Sequence, residues 1–83
     1  MPTTRYFREQ VLRKRPYLSE SLCAEVLASF VRREVQGDSR IRFWGRVTLP
    51  GEIEPRILRV ITLEDGMTVH NAFLDRNFRE DEA

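Results

Sequence analysis

The chain carries one histidine, His70, and thirteen arginines, with Lys14 as its single lysine. An imidazole that titrates near neutrality, set beside arginine forks, is the equipment of metal-free phosphodiester chemistry. Such chemistry needs a proton acceptor, a proton donor and cations on the phosphate. The stretch Arg56 to Phe78, RILRVITLEDGMTVHNAFLDRNF, holds the candidates. His70 would act as acid or base, and Arg59, with Arg42 or Arg46, would stabilise a phosphorane. The plainer alternative makes His70 a packed or hydrogen-bonded histidine, with Asp75 and Arg76 as a local ion pair or turn, worth little in solvent.

A second pattern lies upstream. Arg42, Trp44 and Arg46 alternate along one strand, so they project from one side about 7 Å apart. Such a ladder stacks on itself by cation–π contact, or holds a base and its phosphates with Trp44 as the platform. The alternative is a surface strand whose tryptophan covers the sheet. Arg13, Lys14 and Arg15 form a third basic group. They suit the negative end of a helix dipole as well as they suit phosphate.

Other chemistries find less support. One His and one Cys, without HxH, HExxH or CxxC spacing, supply no metal-ligand set, and no cofactor is expected. Four unclustered glycines make no phosphate loop or dinucleotide motif. Cys23 flanks an apolar helical stripe and reads as a small buried hydrophobe rather than a nucleophile. A lone cysteine also points to a reducing, cytoplasmic setting. No apolar run approaches the ~20 residues of a membrane span, so no membrane partner is expected. The opening MPTTRYFREQ lacks the apolar core of a signal peptide. A hydrophobic fraction of 41% argues against disorder. Charged residues are 33% of the chain but balance to +1, so only local patches attract a polyanion. The arginine bias is also what a GC-rich genome produces.

The elements that must position these residues form one expected domain, 1–83. A helix from about 5 to 14 is capped by Thr3 or Thr4, with Phe7 and Val11 on one side. It stops before Pro16, because the residue preceding proline avoids the α region. A second helix is expected from 20 to 34, with Ser19 as N-cap and Leu22, Val26, Leu27, Phe30 and Val31 as its stripe. Arg32, Arg33 and Glu34 end it, and Gly37 suits the C-cap region. Strands follow at about 40–48, 56–63 and 67–74.

Asp65-Gly66 between two apolar runs signals a two-residue type I′ hairpin, which needs positive φ at both positions. That register sets Thr62 opposite Val69, Ile61 opposite His70 and Arg59 opposite Ala72. Arg59 and His70 then become neighbours on one face. Leu58, Val60, Val69 and Phe73 point to the helices, together with Asn71. The tail beyond Arg79 is acidic, and is expected to be loose.

Two helices followed by a three-stranded antiparallel meander make an α+β plan. The segments RIRFWGRV, RILRVITLEDGMTVHNAF and DRNF resemble an uncharacterised family of small bacterial proteins close to the RelE/ParE-like toxin superfamily. BrnT-type toxins are similar in the order of their parts. The resemblance spans Tyr6 to Phe78. It implies helices on one face of a small antiparallel sheet. It also implies a site that works with Arg, Lys, His or Tyr and without metal, and it makes an antitoxin partner worth seeking. Some relatives in that superfamily cut mRNA on the ribosome, and others act on gyrase. The acidic end and the near-zero net charge depart from the basic ribonucleases. Two functional expectations follow. One is a non-enzymatic or degenerate toxin-like binding module, whose uncovered sheet edge could take a partner's strand. The other is a metal-independent endoribonuclease using His70 and Arg59. Arg42, Trp44, Arg46, Asp75 and Arg76 are the candidates for RNA or partner contact. A chain this short sits near the lower limit for one self-sufficient core, which leaves room for a homodimer.

Overall fold

The computed structural model describes residues 1–79; the acidic tail lies outside the described residues. The fold is α+β, with two helices and a four-stranded antiparallel sheet in the order β1-β2-β3-β4. The strands are β1 (Arg32–Val35), β2 (Ile41–Val47), β3 (Arg56–Thr62) and β4 (Val69–Leu74). Three strands were expected, and the fourth comes from a segment that reads as helix.

The first helix runs over 5–14, as its pattern predicts. Its middle, Phe7–Val11, is a π-helical turn, in which the Leu12 N–H reaches back to the Phe7 carbonyl. Of the two threonines, Thr4 is the cap, its hydroxyl accepting from the Phe7 N–H at 3.1 Å. Phe7 and Val11 are both buried.

The second helix, Glu20–Ala28, starts as expected: the Ser19 hydroxyl accepts from the Leu22 N–H at 3.1 Å. It ends six residues before the expected limit of 34. Ser29 leaves the helical region, and Phe30 and Val31 stand 43% and 41% exposed. Arg32–Val35 instead pairs with β2, with Arg32 opposite Trp44 and Val35 opposite Ile41. The turn decides it. Ser39 takes φ 72°, the Gln36 N–H bonds the Arg40 carbonyl at 2.7 Å, and the Asp38 carboxylate accepts from the Arg40 N–H. What reads as a helix C-cap is a hairpin turn, and the segment before it, VRREV with a β-branched valine at each end, finds an edge to pair with.

A nine-residue helix is too short to stand alone in water. Leu22, Cys23 and Val26 hold it by burial against β2 and β3, at about 1.5–3 kcal/mol for each large aliphatic side chain. Gly45 on β2 allows the close approach: a Cβ there would lie 3.1 Å from Val26 Cγ1 and 3.2 Å from Val26 Cα. Ile41, Phe43, Val47, Leu58 and Val60 complete the helix-facing core.

The β3–β4 hairpin departs from a type I′ turn. Gly66 has φ +71°, but Asp65 stays at negative φ. The Leu63 N–H bonds the Thr68 carbonyl at 2.9 Å. The Asp65 carboxylate organises this longer loop, accepting from the N–H groups of Met67 and Thr68, both at 2.9 Å. Thr62 does face Val69, but Ile61 faces Asn71, so His70 is an inserted residue. Beyond this bulge the side-chain parity reverses. Val69 and Ala72 are both fully buried on the helix side. Asn71 and Phe73 move to the opposite face, contrary to the expectation that placed them with the helices. At the outer edge of β4, the Val69 N–H donates to the Pro2 carbonyl at 3.0 Å, and the Thr4 N–H donates to the Val69 carbonyl at 2.9 Å.

Candidate functional site

The face of the sheet opposite the helices carries the candidate site. Strand register lines up one residue from each strand: Arg32 opposite Trp44, Trp44 opposite Arg59, and Arg59 opposite Phe73. Paired residues share a face, so arginine and aromatic side chains alternate in a row across the sheet. The Arg59 guanidinium lies 5.1 Å from the Trp44 ring centre and 4.9 Å from that of Phe73. Phe78, past the end of β4, stacks on Trp44 with centroids 5.3 Å apart and planes 19° from parallel. Arg32 lies 4.8 Å over the Phe78 ring. Such contacts are worth about 0.5–2 kcal/mol each, most where water is excluded. Trp44 is only 4% exposed.

Asp75 pins this assembly. Its backbone N–H bonds the Ile57 carbonyl at 3.0 Å, extending the β3–β4 ladder past Leu74. Its Oδ2 accepts from Trp44 Nε1 at 2.9 Å and from Arg59 Nε and Nη2 at 3.2 and 2.8 Å. Its Oδ1 accepts from the Asn77 N–H at 3.1 Å. Burial pushes the Asp75 carboxyl up, but the bonds from Trp44, Arg59 and Asn77 outweigh that and hold it below the ordinary carboxylate value. The expected local pair of Asp75 with Arg76 is therefore replaced by an ion pair to Arg59 across the sheet. Arg76 is exposed in the following turn.

A cavity of about 250 Å³ opens beside this assembly, lined by Arg32, Trp44, Arg59, Asp75, Asn77, Phe78 and Arg79. Among the described lining residues, Arg32, Arg59 and Arg79 stand beside Asp75, which is paired with Arg59. Arg42 lies 6.0 Å from the Trp44 ring, and its Nε is buried without a hydrogen-bond partner. Arg46 is exposed on the same strand. In the Arg42–Trp44–Arg46 ladder, Trp44 holds Arg42, and Arg59 from β3, rather than presenting a bare ring. A base could stack on Trp44 only by displacing Phe78 or an arginine.

His70 belongs to another place. Arg59 pairs with Phe73, three positions along β4 from His70 and roughly 10 Å at strand rise. The expected Arg59–His70 neighbourhood is undone by the bulge. His70 Nδ1 lies 3.0 Å from Thr4 Oγ1, and its ring stacks on Tyr6 at 4.9 Å. Thr4 Oγ1 also accepts from the Phe7 N–H, and its hydroxyl donates to Nδ1 or accepts from it according to the His70 tautomer. Burial, and then the charge of Arg40, lower its pKa from the ordinary 6.5. The neutral form is favoured by folding, so its contribution is complete above 6.5 and is lost as pH falls through the folded value. NMR titration should place the His70 midpoint below 6.5. In His70→Gln, stability should fall less between pH 7.5 and 5 than in the parent, as read by urea midpoints.

The remaining candidate chemistry is quiet. Burial, with a smaller effect of Glu20, pushes the Cys23 thiol up to about 12, so it is no thiolate nucleophile. Among the described residues no group of three His, Cys, Asp or Glu side chains is placed to hold a metal ion. No helix among them is long and apolar enough to cross a membrane.

Sequence reasoning missed Arg32, Asn77, Phe78 and Arg79. Reading 32–35 as a strand would have set Arg32 beside Trp44; no pattern in DRNF marks Phe78. Neither a family model, nor a curated protein, nor a solved structure matches this chain.

Proposed function

We propose that this chain is a small non-enzymatic binding module on the RelE/ParE-like plan, a toxin-like domain without the cleavage chemistry. Its arginine–aromatic row would hold an anionic group of a partner, a phosphate or a carboxylate. One observation carries the reading: Arg59 is locked to Asp75 and Trp44, while His70 sits with Thr4 and Tyr6. Metal-free RNA cleavage needs the proton-transfer group and the phosphate-binding cation on the same reacting atoms. A guanidinium stacked between rings is a good anion receptor, because its plane is set before the ligand arrives. The order of two helices and then an antiparallel sheet supports the toxin-like plan.

A growth assay tests the reading. The chain, His70→Ala and Arg59→Ala are each expressed from a tight promoter in a bacterial host, with equal expression checked on blots. Near-normal growth is expected in all three cultures. Arrest by the parent chain that both substitutions relieve would make the ribonuclease reading the right one.

A further inference from the structure

We infer that Phe78 is a plug in a ring-sized slot bounded by Arg32 and Trp44, and that the ligand of this slot is a planar aromatic group carrying an acidic substituent. This rests on the anion-binding reading and adds the aromatic half of the ligand.

The walls of the slot belong to the sheet. Arg32 and Trp44 pair across β1 and β2, so backbone register sets their positions. Trp44 is held further by the bond from its Nε1 to Asp75. Phe78 arrives from outside the sheet, beyond the end of β4. Its ring lies 5.3 Å from that of Trp44 and 19° from parallel, with the Arg32 guanidinium 4.8 Å over it. It is half-buried there, on the face opposite the helices. An indole attracts a flat ring by stacking and a guanidinium by cation–π contact, and neither reads the identity of the ring. A slot that takes a phenylalanine ring therefore takes another flat ring of that size, with Arg32 keeping its place over it.

The acidic half follows from the cavity. Its volume is about 250 Å³, and Phe78 lines it together with Arg59 and Arg79. Phe78 thus has space to swing into without disturbing the helix-facing core. Arg59 donates from Nε and Nη2 to Asp75 and keeps Nη1 for a ligand. The Asp75 carboxylate repels an anion, so the acidic group is held off it, on the Arg79 side. Ring and charge are selected together. An anion alone leaves Phe78 in the slot, and a ring alone leaves the arginines unanswered. A plug inside the same chain weakens its competitor by the fraction of time the slot stands open, and one such stack amounts to about tenfold.

The indole N–H of Trp44, the one tryptophan, reports titrations with phenyl phosphate, benzoate, phenol and inorganic phosphate. Phe78→Ala, with its fold checked by circular dichroism, should bind phenyl phosphate or benzoate about tenfold more tightly than the parent does, and inorganic phosphate no more tightly. The tighter of the two aryl acids names the acidic group. In the parent chain, nuclear Overhauser contacts between Phe78 and Trp44 should fade as the aryl acid saturates, and contacts from its ring should replace them. Equal gains for phenyl phosphate and inorganic phosphate in Phe78→Ala, or Phe78–Trp44 contacts that persist at saturation, overturn the plug and leave the anion-binding reading standing. Phenol bound as tightly as the aryl acids overturns the joint selection of ring and charge. No saturable shift with any acidic probe removes the anion-binding reading, and this inference with it.

Discussion

Asp75→Ala should destabilise the fold by about 2 kcal/mol and move the Trp44 emission to the red. The side chain of Asp75 is 10% exposed and serves donors from Trp44, Arg59 and Asn77. Its loss strands an indole N–H and two guanidinium N–H groups. A buried donor left unmet costs about 1–3 kcal/mol. Arg59, 25% exposed, recovers part of that from water. Asp75→Asn keeps an acceptor for Trp44 but loses the charge, and should cost about half as much. The pH dependence has a definite sign. The carboxyl is held below its ordinary value, so the deficit of Asp75→Ala is complete above about pH 4 and shrinks as pH falls through the folded value. Urea midpoints at pH 7 and pH 3, with tryptophan emission as the probe, read both effects. An equal deficit at the two pH values would mean that the Asp75 charge contributes nothing.

Gly45→Ala should cost about 1–3 kcal/mol, the range for overpacking a filled core. The new Cβ meets Val26 at 3.1 Å, and the 3.2 Å contact to Val26 Cα is with backbone, which cannot rotate aside. The second helix must lift from β2, loosening Leu22 and Cys23 with it. Gly37→Ala is the control: it has open space around it and no positive φ. It should be neutral or slightly stabilising, because alanine restricts the unfolded chain more than glycine does. Paired denaturation curves decide it. Similar midpoints for the two variants would show that the helix does not depend on the close approach at Gly45.

The helix starts, the strands near 40–48 and 56–63, and the core of Phe7, Val11, Leu22 and Val26 were legible because each rests on local periodicity or a cap. Three features were not. Phe30 and Val31 fit a helical stripe as well as a strand, and only pairing with β2 separates the two readings. The bulge at His70 leaves no mark in alternation, yet one extra residue sends Phe73 and Asn71 to the other face and parts His70 from Arg59. Asp75 was picked out by its chemistry, but its partners are 16 and 31 positions away in sequence. A local reading pairs it with Arg76 instead. Trp44, Arg59 and Asp75 were singled out in the sequence, and their connections came from register.

The claim that the arginine–aromatic row receives an anion has one direct measurement. Backbone and side-chain N–H correlation spectra would be followed during titration with inorganic pyrophosphate and, separately, with a glutamate-rich peptide at constant ionic strength. The chain has one tryptophan, so its indole N–H, bonded to Asp75, is an unambiguous reporter. The account predicts saturable shifts of the Trp44 indole, Arg59 Nε–H and Asn77 signals with at least one probe, while Thr4 and His70 stay still. Shifts centred on His70, or no saturable change at Trp44 with either probe, would contradict it.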